Sequence, residues 1–174
     1  MASINGILIR NLKCFPNNEG GESYKGDVWY KGKKLGSWAQ NYDSDIRDTF
    51  NFDVSLLDEE VKNYKFSDRV SDEYENVYYL EWLLNDLADL QLHENTFKSI
   101  KEKGYDSYAE IGYEYDSVTF GFSKKKYPTK EKLLRSDLYK KHYKKFEKSV
   151  LDDYYYVSYW VRVFMSKRDF NLEL

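Results

Sequence analysis

The spacing of the apolar residues alternates along the chain between a period of two and a helical period. Alternation with period two predicts strands, and apolar residues three and four positions apart predict amphipathic helices. The strand patterns lie at 4–12, 26–40, 107–123 and 153–166, and the two strongest helical patterns lie at 72–103 and 129–149. Strands and helices that are segregated in this way predict an α+β fold. We expect a mostly antiparallel sheet of about five to six strands, packed against two main helices plus a short one.

Length and composition predict a single domain that spans residues 1–174. Hydrophobic residues make up 41% of the chain and charged residues 33%, which is typical of a folded protein. Cys14 is the only cysteine, so an internal disulfide is excluded. No apolar stretch is long enough to span a membrane, and the first residues do not resemble a secretory leader. The sequence therefore predicts a cytoplasmic protein with no membrane partner.

The stretch GDVWYKGKKLGSWAQ (residues 26–40) predicts a hairpin that turns around Lys31-Gly32-Lys33. Trp29 and Trp38 should lie on opposing strands, and at least one of the two should be buried, because tryptophans on a sheet rarely stay wholly in water. The three lysines of the tip should be exposed. They should contact a partner at most from the rim of an interface. They are Lys31, Lys33 and Lys34.

Local signals place the remaining elements. Residues 15–23, FPNNEGGES, predict a loop, and 58–64 predict a short helix with acids in its first turn. The second hairpin, within 107–123, should turn at Asp116-Ser117. We expect His93 to be a surface residue near a helix end.

The two long helices have recognisable ends. Gly104 should terminate the helix over 72–103, and Thr129 should cap the helix over 129–149. On a helical wheel, the second helix gathers its apolar residues on one side and its lysines on the other. The apolar side consists of Leu134, Leu138, His142, Tyr143, Phe146 and Val150.

Charge is distributed unevenly, although the net charge is only −3. Acids dominate between residues 43 and 94, whereas lysines dominate between 124 and 148. Such an asymmetry favours a charged partner.

The lysine-rich helix can bind nucleic acid through its phosphates, and neighbouring tyrosines can add base stacking. A solvated lysine face on an amphipathic helix is the competing interpretation. The predicted binding lysines are Lys130, Lys140, Lys141, Lys144 and Lys148, and the stacking tyrosines are Tyr127, Tyr139 and Tyr143.

The acidic stretch has its own functional interpretation. A rigid array of carboxylates can imitate a nucleic-acid backbone and occupy the basic channel of a nucleic-acid enzyme. The competing interpretation is that these acids only solubilise the protein. The predicted acidic face consists of Asp43, Asp45, Asp48, Glu81, Asp86 and Asp89.

No residue pattern indicates catalysis, a metal site or a cofactor. His93 and His142 lie far apart in the sequence, and the acids at 43–48 lack the pattern of an EF-hand. Asp53 and Glu60-Val61-Lys62 faintly resemble the set of two carboxylates and one lysine that some metal-dependent nucleases use. The sequence thus favours a binding protein over an enzyme.

The stretch ILIRNLKCFPNNEGGESYKGDVWYKGKKLGSW (residues 7–38) resembles a class of small accessory proteins of conjugative elements and phages of Gram-positive bacteria. Some members are anti-CRISPR inhibitors of type II, RNA-guided effector nucleases. The resemblance implies an anti-defence protein that binds the effector, its guide RNA or both, and it transfers no site residue. Two alternatives remain open, namely a metal-dependent ribonuclease that truncates guide RNA and a non-enzymatic nucleic-acid-binding accessory module.

Overall fold

A computed structural model describes residues 1–16, 22–41, 48–64, 76–113, 116–150 and 159–172. The strands in these residues are β1 (Ser3–Ile4), β2 (Ile7–Pro16), β3 (Glu22–Tyr30), β4 (Lys33–Ala39), β5 (Thr49–Phe50), β6 (Ser107–Tyr113), β7 (Asp116–Phe122), β8 (Trp160–Phe164) and β9 (Asn171–Leu172). The α-helices are α1 (Asp58–Asn63), α2 (Asn76–Glu102), α3 (Lys130–Leu134) and α4 (Asp137–Val150). The chain divides into a first unit, Met1–Glu94 with Phe170–Leu174, and a second unit, Asn95–Asp169.

The first unit contains a six-stranded sheet in the order β5-β4-β3-β2-β1-β9. All neighbouring strands are antiparallel except β1 and β9, which are parallel and pair Ser3 with Asn171. This sheet and the helices confirm the predicted α+β class. The prediction that the domain is single stays a prediction.

The hairpin formed by β3 and β4 is confirmed. Lys31 and Gly32 have φ values of 47° and 80°, as a two-residue turn with both central residues in the left-handed region requires. Trp29 and Trp38 lie on opposing strands, and Trp38 is only 1% exposed. Trp29 is half-buried, with the guanidinium of Arg10 3.9 Å from the centre of its ring.

The predicted single strand over 4–12 is wrong, because the chain turns at Asn5-Gly6. These residues have φ values of 49° and 76°, and Asn-Gly is the dipeptide that such a turn favours. The strand that follows, β2, then continues to Pro16, and β3 already begins at Glu22. The predicted loop over 15–23 is therefore strand at both ends, and residues 17–21 lie outside the described residues.

One face of the six-stranded sheet belongs to the core of the first unit. Its buried side chains include Ile7, Ile9 and Val28, which alternate with more exposed neighbours. Hydrogen bonds link Trp38 to Asp48, and Asp48 in turn to Glu81. The indole N–H of Trp38 donates to the Asp48 carboxylate at 2.7 Å, and the backbone N–H of Asp48 donates to the Glu81 carboxylate at 3.1 Å.

The helices α1 and α2 follow the sequence prediction closely. A 3-10 helix precedes α1, and α2 lies within the predicted range and ends just before Gly104, whose φ is 86°. The prediction that His93 is a surface residue is wrong, since its exposure is 8%. The helix buries leucines that recur at the spacing of one face, namely Leu80, Leu83, Leu84 and Leu87.

The second unit contains a separate three-stranded antiparallel sheet in the order β7-β6-β8, which the sequence did not predict. The second hairpin is present, but Asp116 and Ser117 belong to β7 and pair with Tyr113 and Gly112. The predicted turn at these residues is therefore wrong. The strand predicted over 153–166 is present as β8 in the part that the structure describes. Residues 151–158 lie outside the described residues.

The predicted helix over 129–149 is two helices, α3 and α4. Thr129 caps the first, as predicted, by accepting a hydrogen bond from the N–H of Lys132 at 3.3 Å. Ser136 separates the two helices. Its hydroxyl donates to the Leu133 carbonyl at 2.6 Å and accepts from the N–H of Tyr139 at 3.2 Å, as an N-cap does. Leu133, and not the predicted Leu134, is the fully buried leucine of α3.

We expect Trp38→Phe to lower the free energy of unfolding by about 2–4 kcal/mol, since it opens a gap in the core and removes the donor to Asp48. Chemical denaturation monitored by circular dichroism measures the change. Trp160→Phe is the matched control, because Trp160 is an exposed tryptophan, and it should change stability by less than about 1 kcal/mol. Equal losses in the two variants would contradict the role given to Trp38.

Candidate nucleic-acid interface

The predicted binding lysines lie on two helices and not on one. Lys130 is on α3, where its ammonium donates to the Val161 carbonyl at 3.5 Å, whereas the other four predicted lysines are on α4. Lys145, which was not among the predicted site residues, is a fifth exposed lysine of α4. We define the basic surface as these five lysines: Lys140, Lys141, Lys144, Lys145 and Lys148.

Packing of the opposite side of α4 explains why these lysines face solvent. Phe146 is buried in a core with Ile111 and Phe120 of the three-stranded sheet, and Leu138 and Tyr143 pack against the same core. These apolar residues recur at helical spacing, so the residues between them must point away from the sheet. All five lysines of the basic surface are exposed.

The basic surface carries little compensating negative charge. Residues 137–148 contain five lysines and two acids. Lys140 lies 3.8 Å from the exposed carboxylate of Asp137, a separation at which an exposed ion pair contributes little. Across the part of the chain that the structure describes, none of the other four lysines has a carboxylate within 4 Å. The surface is therefore a net positive patch.

Tyrosines border the basic surface. The rings of Tyr139 and Tyr143 are 6.0 Å apart, and the ring of Tyr143 is 5.1 Å from that of Tyr159. Burial raises the pKa of Tyr139 and of Tyr143. Tyr159 is the most exposed of these three tyrosines, at 48%. We call Tyr139, Tyr143 and Tyr159 the tyrosine cluster.

The sequence indicates Tyr139 and Tyr143 but not Tyr159. Tyr159 lies within the predicted strand over 153–166, and no local pattern distinguishes it from the tyrosines that precede it. Tyr127, by contrast, was predicted to stack on bases, but it is half-buried and packs edge-on against Phe122. Of the predicted stacking tyrosines, Tyr139 and Tyr143 therefore lie beside the lysines, and Tyr159 lies next to them.

Two of the predicted acidic residues are bound into the first unit. The Asp48 carboxylate accepts from the Trp38 indole at 2.7 Å and from the N–H of Asn41 at 2.9 Å. Burial is the main reason that the pKa of Asp48 is raised. Glu81 accepts from the backbone of Asp48. Asp48 and Glu81 are both half-buried, so their carboxylates are only partly accessible to a partner.

The other predicted acids are placed differently. Asp86 accepts a hydrogen bond from the hydroxyl of Tyr64, and Asp89 lies 3.5 Å from the imidazole of His93 one turn along α2. Asp43 and Asp45 lie outside the described residues. In the described part of the chain, the predicted acidic face is thus mainly a set of intramolecular acceptors, and it offers less open charge than the basic surface.

The residues that resemble a nuclease set do not converge. Asp53 caps the 3-10 helix (Val54–Leu57) by accepting from the backbone N–H of Ser55 at 3.1 Å, and it also accepts from the Ser55 hydroxyl at 2.7 Å. The hydroxyl bond and the N–H bond both lower the pKa of Asp53. Glu60 accepts from the hydroxyl of Tyr30. Lys62 is two residues further along α1, and residues two apart on a helix do not face each other. Within the described ranges, no three His, Cys, Asp or Glu residues are grouped so that they could hold a metal.

The lysines at the tip of the first hairpin are exposed, as predicted. Lys34 forms an ion pair with Asp27 at 2.8 Å, and Lys31 lies 3.8 Å from the Glu60 carboxylate. Two of the three tip lysines therefore have acidic neighbours within the first unit.

No protein-family model, curated protein or solved structure matches this chain. Each helix within the described residues is too short or too polar to cross a membrane.

The imidazole of His142 makes stability depend on pH. It stacks on Phe120 with ring centres 4.2 Å apart, and burial, together with Lys141 and Lys145, lowers its pKa. Below about pH 6.5 the unfolded chain takes up a proton that the folded protein resists, so stability falls as the pH is lowered.

We expect His142→Phe, which retains a planar ring, to reduce the loss of stability between pH 7.5 and pH 5.5. Denaturant titrations of the variant and the unmodified protein at both pH values measure the difference. An identical loss in the two proteins would show that His142 does not cause it.

Proposed function

We propose that this chain is an anti-defence protein of a mobile element or phage, which inhibits a type II CRISPR effector nuclease in the host bacterial cytoplasm. In this proposal it binds the effector, its guide RNA or both, and does not turn over a substrate. The exposed basic surface of α4 is the observation that carries the proposal. The class of partner comes from the resemblance of about residues 4–40 to accessory proteins of Gram-positive mobile elements.

The spacing of the lysines suits a polyphosphate backbone. Lys140, Lys144 and Lys148 follow one another at four-residue intervals, which places them about 6 Å apart along the axis of α4. Lysines that neutralise phosphates release counterions, so they bind RNA without regard to sequence and with strong dependence on salt. A guide RNA exposes such a backbone wherever the effector does not cover it.

The tyrosine cluster supports RNA as the part of the complex that is contacted. Stacking on an aromatic ring contributes about 1–3 kcal/mol per base and tolerates any base. Tyr159 offers an exposed ring next to Tyr143, on the apolar border of the basic surface. A nucleotide whose phosphate lies on Lys140 or Lys144 has an aromatic ring available nearby.

Two alternatives use the same surface or the same partner. A free nucleic-acid-binding module would need only the basic surface, without the effector. A metal-dependent ribonuclease would shorten the guide, but Asp53 and Glu60 are already engaged by Ser55 and Tyr30.

Size-exclusion chromatography with an assembled type II effector and guide RNA distinguishes these possibilities. The proposal predicts co-elution at low salt, reduced DNA cleavage and a guide of unchanged length in the presence of Mg²⁺. Co-elution with free RNA but not with the assembled effector would favour the accessory module. A shortened guide would favour the ribonuclease, and the absence of any association would contradict the proposal.

We expect Lys140→Glu/Lys141→Glu/Lys144→Glu to weaken binding to the effector–guide complex by at least about tenfold, since three phosphate contacts become repulsive. The slope of log affinity against log salt should also become less steep, and fluorescence anisotropy with labelled guide RNA measures both.

Lys33→Glu/Lys62→Glu/Lys103→Glu is the matched control. These lysines are exposed, lie off the basic surface and change the net charge by the same amount. If the control loses as much affinity as the α4 variant, the effect is one of net charge, and the basic surface is not the binding site.

A further inference from the structure

The face of the six-stranded sheet opposite to its core face contains a groove in the first unit. The groove has a volume of about 310 Å³ and lies across β2, β3 and β4. The register places Lys13, Lys25 and Ala39 in one row across its floor, and Asp27 and Ser37 in the next. Asn11, Gly26 and Trp38 complete the lining, and Arg10, which pairs with Asp27, lies outside it.

Two lysines line this groove at opposing positions of neighbouring strands, and the ammonium of Lys25 lies 5.4 Å from the centre of the Phe15 ring. Lys13 and Lys25 are directly paired across β2 and β3, and both are exposed. Like charges directly opposite each other destabilise a sheet. In the described part of the chain neither lysine has a carboxylate within 4 Å. Their positive charge is therefore available to a bound anion, which would also offset the repulsion.

The acid of the groove does not neutralise these lysines, because it has other partners. The Asp27 carboxylate is 2.8 Å from the ammonium of Lys34 and accepts from the side-chain amide of Asn11 at 2.8 Å. These two contacts lower the pKa of Asp27. Asp27 thus remains charged, but its charge is matched by Lys34.

An irregularity in β2 shapes the groove. The register shifts between Arg10 and Lys13, and Asn11 has a φ of 54°, as in a bulge whose first residue is left-handed. Bulges re-aim side chains, and this one brings the side chain of Asn11 onto Asp27 and sets Lys13 opposite Lys25. Arg10, which stacks on Trp29, adds positive charge in the neighbouring row.

We infer that this groove binds a phosphate group between Lys13 and Lys25. Two separate ammonium groups suit a tetrahedral anion with more than one charge, whereas a carboxylate is matched best by the planar fork of an arginine. The volume of the groove is at the small end of the range for small-molecule sites, which begins at about 300 Å³. A free nucleotide and a strand of nucleic acid both present such a group.

The inference is independent of the proposed function. All residues of the groove lie in the first unit, and none belongs to the basic surface of α4. The groove can therefore bind phosphate even if the chain never contacts an effector, and the reverse also holds.

The test combines two charge reversals with a control. We expect Lys13→Glu to raise the thermal midpoint of the protein without ligand, since the new carboxylate faces Lys25. The same variant and Lys25→Glu should bind AMP at least tenfold more weakly in ³¹P NMR titrations at constant ionic strength. Lys33→Glu, an exposed lysine of the same unit outside the groove, should bind AMP as the unmodified protein does.

A second arm identifies the source of the phosphate. An eight-nucleotide uridine RNA is titrated into protein that already carries Lys140→Glu/Lys141→Glu/Lys144→Glu, so that the groove is measured alone. If adding Lys13→Glu weakens the binding of AMP only, the phosphate belongs to a free nucleotide. If it weakens the binding of the RNA, the phosphate belongs to a strand of nucleic acid. The inference is overturned if neither probe binds, or if Lys13→Glu and Lys25→Glu bind both probes as their parent proteins do.

Discussion

Burial of one side of α4 against the three-stranded sheet determines where the positive charge of the second unit is displayed. Phe146 is buried among Ile111 and Phe120, and His142 stacks on Phe120. Because the helix has 3.6 residues per turn, fixing these residues inward directs Lys140, Lys144 and their neighbours outward. The charge pattern of the surface is thus a consequence of core packing, and the proposed contact with RNA depends on it.

The acids of the first unit show that charge in a sequence does not predict charge on a surface. Asp48 and Glu81 belong to the stretch 43–94, in which acids dominate. Their carboxylates accept hydrogen bonds from Trp38 and from backbone N–H groups, and so they serve the fold. A carboxylate is short and accepts bonds readily from nearby donors, whereas a lysine keeps its ammonium in water at the end of a long stem.

Sequence periodicity predicted the elements whose signals are local. The turn at Lys31-Gly32, the end of α2 and the cap at Thr129 are determined by a few neighbouring residues. The break at Ser136 was missed, because a serine within a helical pattern caps a new helix only if its hydroxyl finds the right partners. The division into two sheets and the pairing of Lys13 with Lys25 depend on contacts distant in sequence, which no local pattern encodes. The same holds for the position of Tyr159 beside Tyr143.

An NMR titration of ¹⁵N-labelled protein with guide RNA at two salt concentrations tests directly whether the lysines of α4 contact RNA. If they do, amide shifts at low salt will cluster on residues 137–148 and around Tyr159, and they will diminish at high salt. Shifts that spare α4 entirely, or that are unchanged by salt, would contradict the claim that its lysines contact phosphates.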